Sequence, residues 1–322
     1  MMQRRTFTAG VAATLAAPLV RAQGIPQQPI RIIVGFAPGG GTDILSRVIG
    51  QKLADMWKTQ IIVENRAGAS GTIAADLVSK SPADGTVLHM AHINSHAIVP
   101  GLQKLPYEAD KDFQPIALVG VTPNLLICNE QQPAKTVKDL VELCKKNPGK
   151  ISFGSAGNGS AQHLALEMFM LQAGVKAIHV PYKGSGPMLT DLIGGQINYS
   201  FDTMTAATPH VKSGKAIPIA QTRQARAKSY PNVPTMAESG FPGFEATTWY
   251  GLVGPGKMPA ALARRMNEDV NKVLQMPDVM EKLEASGAED GGGSTEKFAQ
   301  FMKVEQAKWA KVIKEAGVKA EI

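Results

Sequence analysis

The chain has 322 residues, of which 44% are hydrophobic and 19% are charged, and its formal net charge at pH 7 is +7. This length is enough for two domains of about 150 residues each. The positive excess is mild, and the sequence contains no stripe of lysine and arginine interleaved with aromatic residues. These properties argue against nucleic acid as a partner.

The first 22 residues have the pattern of a signal peptide. Arg4 and Arg5 precede an apolar run over 9–20, and "VRA" at 20–22 is typical of a cleavage site. The apolar run is too short to cross a bilayer, which takes about 20 residues. We therefore expect export to the periplasm by the general secretory or the twin-arginine route, with an uncleaved anchor as the alternative.

The segment "VGFAPGGGTDILSRVIG" at 34–50 leads from a β-forming run through a glycine-rich turn into an amphipathic helix. Its spacing resembles a phosphate-binding loop, but Gly41 stands where that loop has a lysine. Backbone N–H groups at a helix start still bind anions. A single carboxylate therefore suits this turn better than a triphosphate, and Asp43 is predicted to cap the helix. The alternative is a tight turn without a ligand.

Short β-rich runs alternate with helical patterns along the rest of the chain. This alternation predicts an α/β protein with parallel sheets, right-handed crossovers and a ligand beyond the carboxyl ends of the strands. The predicted strands are 30–36, 61–65, 86–91, 116–128, 150–154, 178–182, 197–201 and 217–221.

Two further glycine-rich turns lead into helical patterns, at 65–78 and at 151–169. The second repeats the plan of 34–50 and predicts two similar domains, each offering a helix N-terminus. The turn at 182–187 is a further candidate for ligand contact. Asp202 ends a predicted strand, where it could accept a hydrogen bond from a ligand amine or hydroxyl, or brace a loop.

Other chemistries find little support. The serines of these turns lack the G-x-S-x-G elbow of a serine hydrolase. His89, His92 and His96 are close in sequence, but no cysteine or acidic ligand accompanies them as a zinc site requires. We therefore predict no catalytic residue, no metal site and no cofactor.

Cys128 and Cys144 are the two cysteines of the chain. An oxidising compartment would permit a disulfide between them. Cys144, however, shares helical core spacing with Val137, Leu140 and Val141. We predict two buried free thiols, with a disulfide as the alternative. Further on, 294–317 predicts a long docking helix that Ser294 or Thr295 caps.

Over nearly all of the mature chain, the sequence resembles the periplasmic substrate-binding proteins of tripartite tricarboxylate transporters, the Bug family. The motifs that carry the resemblance are "QPIRIIVGFAPGGGTD", "VENRAGASGTIAA", "SPADGTVL", "FGSAGNGSAQHLALEMF", "HVPYKGSGPMLTDLIGGQI", "FDTM" and "AKWAKVIKEAG". One departure is "FDT" at 201–203, where many members have Phe-Asp-Asn.

The resemblance implies an α/β, two-lobed periplasmic-binding-protein fold of type II-like form. Two doubly wound domains would be joined by crossing strands near 117–128 and 244–254. We place domain 1 at 23–122, with part of 252–322 returning to it, and domain 2 at 123–251. Trp249 and Tyr250 would line the cleft between the domains or pack the hinge.

The resemblance also implies a function, the capture of a small organic carboxylate in the cleft. The ligand would be a dicarboxylate, an amino acid or an aromatic acid. The partners would be the large and small membrane subunits of the transporter, and the protein would act as a monomer. The alternatives are a ligand sensor for a membrane signalling partner and an enzyme on the same scaffold. The implied ligand contacts are Ala37, Pro38, Gly39, Gly40, Thr42, Gly68, Ala69, Ser70, Asn94, Ser95, Ser155, Gly157, Asn158, Ser160, Gly184 and Asp202.

Overall fold

The structure is a computed structural model and describes residues 24–316. The predicted signal peptide, 1–22, lies outside the described residues. Nine strands join in the order β2-β1-β3-β9-β4-β7-β5-β6, and β8 pairs with β4 beside this path. The strands are β1 (Ile30–Val34), β2 (Ile61–Asn65), β3 (Val87–His92), β4 (Phe113–Cys128), β5 (Ser152–Ser155), β6 (Ile178–Pro181), β7 (Tyr199–Thr203), β8 (Ile217–Gln221) and β9 (Thr247–Pro255).

All eight predicted strands are present; 61–65 and 217–221 have the predicted ends, and the ends of the others differ by up to three residues. The pairing is mixed and not wholly parallel. Strands β1, β2 and β3 are parallel to one another, as are β5, β6 and β7, while β4 and β9 pair antiparallel with their neighbours. The reason is that β4 passes from one part of the sheet to the other, and β9 runs antiparallel to it and to β3.

Strand β4 divides the sheet into two halves. Its residues 113–123 pair with β9, and its residues 124–128 pair with β7 and β8. We call β1, β2, β3, β9 and 113–123 the first half, and β5–β8 and 124–128 the second half. This two-lobed α/β arrangement is the predicted fold. The proposed domain limits stay a prediction.

The helices cover both faces of each half. In the first half, α1 and α8 cover one face, while α2 and α10 cover the other. In the second half, α4 and α5 lie on one face, and α6 and α7 on the other. The helices are α1 (Gly41–Trp57), α2 (Thr72–Ser79), α3 (Val99–Leu102), α4 (Val137–Lys146), α5 (Ala161–Ala173), α6 (Ser185–Ile193), α7 (Met204–Lys212), α8 (Ala260–Leu274), α9 (Pro277–Ala285) and α10 (Thr295–Ala316).

Two smaller predictions are decided by the structure. Cys128 and Cys144 are buried free thiols, and burial raises the pKa of both. Ser294 accepts a hydrogen bond from the backbone N–H of Lys297, so it caps α10 as predicted. Across 24–316, no helix has the length and apolar character needed to cross a membrane.

Candidate ligand-binding site

The two halves meet along loops that follow the carboxyl ends of strands. We call this contact surface the cleft. It is formed by 36–42, 68–70 and Asn94 of the first half, and by 155–162, 183–186 and Asp202 of the second. Three hydrogen bonds cross it, from Ala37 N to Lys183 O (3.0 Å), from Ser70 Oγ to Asn158 O (2.5 Å) and from Ala161 N to Asn94 Oδ1 (3.0 Å).

Helix α1 opens into the cleft without a side-chain cap. Its N-cap residue is Gly40, whose backbone is extended (φ −80°, ψ 165°) and which has no side chain to accept a hydrogen bond. The first N–H groups of a helix have no partner within the helix and carry partial positive charge. By contrast, Ser160 caps α5 by accepting from the N–H of His163. No side chain at the N-cap therefore satisfies the first N–H groups of α1.

Asp43 lies in the first turn of α1, but its carboxylate is engaged by other groups and does not cap the first N–H groups of the helix. Its carboxylate accepts from the N–H of Gly39 (3.1 Å), from the side chain of Asn65 (3.1 Å) and from Arg47 (3.0 Å). Burial raises the pKa of Asp43, but these hydrogen bonds and the charge of Arg47 outweigh it, so the pKa is lowered overall. Asp43 therefore organises the glycine turn, and its negative charge is matched by Arg47.

Helix α6 also opens into the cleft without a side-chain cap. Its N-cap residue, Gly184, has φ +131° and approaches so closely that a Cβ there would lie 3.0 Å from the N atom of Ala37. A Cβ on Gly40 would lie 3.6 Å from Cβ of Ser185. The uncapped N-termini of two helices, one from each half, therefore face each other.

Behind these termini lies a group of buried polar side chains. Asp202, on β7, accepts at Oδ1 from Ser185 Oγ (2.5 Å) and from Gln162 Nε2 (3.4 Å). The other oxygens, Asp202 Oδ2 and Gln162 Oε1, are buried without a hydrogen-bond partner among the described residues. Asn94 Nδ2 is also buried without a hydrogen-bond partner within 24–316, although Oδ1 of Asn94 accepts a hydrogen bond from the N–H of Ala161.

The carboxyl group of Asp202 has an unusual electrostatic setting. Its side chain is fully buried, and no lysine or arginine within 24–316 is found paired with it. Burial raises its pKa to about 7, although hydrogen bonds from Ser185, from the N–H of Thr203 and from Gln162 oppose the rise. A carboxyl group in this state binds a proton or a cation more readily than a solvated one does.

Aromatic rings close the cleft on the side of β9. A Cβ on Gly41 would lie 2.2 Å from the hydroxyl of Tyr250, so only glycine fits at this point of α1. The ring of His92 lies 5.3 Å from that of Tyr250 and 4.9 Å from that of Phe36. Burial lowers the pKa of His92 to about 3, so this ring is neutral near pH 7. Trp249 points elsewhere and packs against Phe298 and Phe301.

The turn at 68–71 brings strained backbone to the cleft. Ala69 (φ 45°) and Ser70 (φ 52°) both adopt the left-handed conformation, which costs a non-glycine residue roughly 1–3 kcal/mol. Such strain is found most often at functional sites. A cavity of about 270 Å³ opens beside this turn and is lined by Phe36, 68–70, 156–158 and 181–183.

Most of the residues predicted to bind the ligand lie at the cleft. Two of their hydroxyl groups, however, form hydrogen bonds within their own half of the protein. Ser95 Oγ bonds to His92 O (3.3 Å) and to His96 Nδ1 (2.9 Å). Ser155 Oγ lies 2.6 Å from Nε2 of His179. The role of all the predicted residues in binding stays a prediction. Their positions are as follows: Ala37, Pro38, Gly39, Gly40 and Thr42 at the start of α1, Gly68, Ala69 and Ser70 in the strained turn, Asn94 after β3, Gly157, Asn158 and Ser160 before α5, Gly184 before α6, and Asp202 on β7.

The sequence did not single out Gln162 and Ser185. Both occupy the first turn of a helix that follows a predicted glycine turn, which is the signal that could have identified them. The prediction from these glycine turns considered the backbone N–H groups as ligand contacts and did not consider the side chains at the start of the following helix.

Comparison with known proteins identifies the family. Residues 45–318 match the tripartite tricarboxylate transporter family receptor. The chain belongs to this family. Its members are periplasmic solute-binding receptors and not a family of enzymes, and their fold is the two-lobed α/β fold described above.

Family relatives match over almost their whole length. Protein BugT of Bordetella pertussis is 35% identical over 315 residues, which cover 97% of this chain and 95% of BugT. A Rhodopseudomonas palustris structure with adipate is 34% identical, with a TM-score of 0.88, over 91% of this chain and 99% of that one. MatC of the same organism, with bound malate, is 31% identical, with a TM-score of 0.85, over 90% and 100% of the two chains.

Proposed function

We propose that this receptor captures a small organic carboxylate in the periplasm, as a monomer, and delivers it to the large and small membrane subunits of a tripartite tricarboxylate transporter. The observation that carries the proposal is the meeting of two uncapped helix N-termini, those of α1 and α6, in the cleft. Backbone N–H groups at such termini bind carboxylates without a lysine or arginine. The relatives solved with adipate and with malate support the same ligand class.

The energetics of the cleft are sufficient for this task. A micromolar dissociation constant requires about 8 kcal/mol. Charge-assisted hydrogen bonds contribute about 1.5–3 kcal/mol each, so a few N–H groups at the helix starts supply most of that amount. The family assignment favours transport over the sensor alternative, and we assign the cleft no catalytic role.

A capping substitution tests the anion site. The extended backbone of Gly40 suits an N-cap aspartate, and a Cβ there has room, with its nearest neighbour at 3.6 Å. In Gly40→Asp, the new carboxylate accepts from the N–H groups of α1 and stabilises the helix by a few tenths of a kcal/mol over glycine. It also occupies the anion site and repels a ligand carboxylate. We expect a melting temperature that does not fall, together with at least a roughly tenfold loss of affinity for carboxylates by calorimetry.

Pro259→Asp provides the matched control. Pro259 is the exposed N-cap residue of α8, which also has no side-chain cap, and it is remote from the cleft. This variant introduces the same charge at a helix start and should leave affinity unchanged. If Gly40→Asp binds carboxylates as tightly as the wild type, the start of α1 is not the anion site.

A further inference from the structure

Two acceptors of the buried polar group behind the helix termini lack a donor. Asp202 Oδ2 and Gln162 Oε1 are both acceptors, both buried and both without a partner among residues 24–316. They belong to adjoining groups, since Gln162 Nε2 and Asp202 Oδ1 lie 3.4 Å apart. Burying an acceptor without a donor costs about as much as losing a hydrogen bond. A ligand that only accepts hydrogen bonds leaves both oxygens without a donor.

The orientation of the Gln162 amide follows from its neighbours. Asp202 Oδ1 already receives the hydroxyl of Ser185, and an ionised carboxylate attracts the amide nitrogen of Gln162 and repels its oxygen. The amide therefore presents Nε2 to Asp202 and leaves Oε1 as a second acceptor. Two donors near the cleft are also buried without a partner among the described residues. They are Nδ2 of Asn94, whose own Oδ1 is held by the N–H of Ala161, and the hydroxyl of Tyr250.

Charge decides which kind of donor fits best. Asp202 is fully buried without a cation partner among the described residues, and a buried carboxylate is costly unless it is paired. Tyr250 is the titratable group that interacts with it electrostatically, and the ring of His92 lies 5.3 Å from that of Tyr250. Burial raises the pKa of Tyr250 and lowers that of His92, so neither is charged near pH 7. A ligand ammonium group would supply the missing positive charge, which a hydroxyl group would not.

The acceptors also lie close to the anion site. Ser185 bonds to Asp202, and its Cβ lies 3.6 Å from where a Cβ on Gly40 would be. One side chain thus separates the carboxyl group of Asp202 from the start of α1. A short ligand can reach both places only if its donor is on a carbon near its carboxylate.

We propose that the ligand is a short amino acid, whose carboxylate binds at the starts of α1 and α6 and whose ammonium group donates to Asp202 Oδ2 and Gln162 Oε1. This inference rests on the proposed function, because it takes the cleft to be a carboxylate site. It extends that function by assigning the ligand class and by giving Gln162 a role in specificity.

A matched series of ligands tests the inference on the wild-type protein. Succinate, malate and aspartate share a four-carbon chain and differ at one carbon, which bears hydrogen, hydroxyl or ammonium. Propionate, lactate and alanine form the same series with one carboxylate. By calorimetry near pH 7.5, we expect the amino member of at least one series to bind at least about tenfold more tightly than its unsubstituted member. The hydroxy member should fall between them.

Two variants tie the preference to these residues. Asp202→Asn keeps the shape of the side chain and removes its charge, and Gln162→Met removes the second acceptor. Each should reduce the affinity for the amino ligand by at least about tenfold and change that for the unsubstituted ligand by less than about threefold. Circular dichroism checks the fold, and the wild-type series stands even if a variant fails to fold.

The outcomes separate this inference from the function on which it rests. If no member of either series and no other carboxylate binds, the proposed function fails. If the unsubstituted acids bind as tightly as the amino acids, the carboxylate site stands and the ammonium assignment is wrong. If succinate binds best and its affinity falls as pH rises through 7, Asp202 acts as a protonated donor, which also overturns the assignment.

Discussion

At the scale of single residues, Asp202 couples proton binding to folding. An unfolded aspartate ionises near 3.8, whereas burial raises the pKa of Asp202 to about 7 in the folded chain. The folded state therefore holds this proton more tightly than the unfolded state. The contribution of the neutral carboxyl group to stability is complete below pH 3.8 and is lost as pH rises through about 7.

We predict that this loss disappears in Asp202→Asn. Between about pH 4 and pH 7.5, the free energy of unfolding of the ligand-free wild type should fall relative to the variant by a few kcal/mol. Urea denaturation at a series of pH values measures the difference. Buried histidines such as His89 and His92, whose pKa values burial lowers to about 4 and about 3, titrate in both proteins and cancel in the comparison. Parallel curves would show that Asp202 ionises normally.

At the scale of elements, α6 is the part of the second half that closes against the start of α1. A Cβ on Gly186, in the first turn of α6, would lie 2.1 Å from the carbonyl oxygen of Pro38. Backbone cannot yield by that much, so a methyl group here would hold the halves apart without removing any polar group of the cleft.

We predict that Gly186→Ala folds normally and binds weakly. Alanine favours the helix by up to about 1 kcal/mol over glycine, so the melting temperature of the ligand-free protein should not fall. Affinity for the tightest carboxylate should drop at least about tenfold. Thr190→Ala, one turn further along α6 and exposed, is the control and should bind as the wild type does. Full affinity in Gly186→Ala would mean that the ligand does not need this contact.

The strands and glycine turns could be predicted from the sequence because they depend on local signals. Runs such as 61–65 and 217–221 have β-forming residues bounded by turn residues, and both are strands at those limits. The antiparallel pairing of β4 and β9 and the unpartnered oxygen of Gln162 could not be predicted in this way. Both features depend on contacts between segments that are far apart in the chain. Hydrophobic periodicity describes only local structure and does not predict such contacts.

At the scale of the whole molecule, the contacts across the cleft link ligand binding to closure. In this arrangement of the halves, Asp202 Oδ2, Gln162 Oε1 and Asn94 Nδ2 are buried without partners among the described residues, at a cost of about 1–3 kcal/mol for each group. A ligand that satisfies them binds the closed arrangement better than the open one. Its effect on the equilibrium equals that difference in affinity. Under the proposed function, this difference would let the transporter subunits distinguish a loaded receptor from an empty one.

The most direct test compares carboxylates with their primary amides on the protein without its predicted signal peptide, residues 23–322. An amide keeps the size of the acid and removes the negative charge that the starts of α1 and α6 would bind. A ligand at 100 times its dissociation constant stabilises the folded state by about 2.7 kcal/mol, which a thermal-shift experiment detects. We predict a clear rise in melting temperature with at least one short carboxylate and none with the matching amide. Equal shifts for acid and amide, or no shift with any carboxylate for a folded and ligand-free protein, would contradict the carboxylate site.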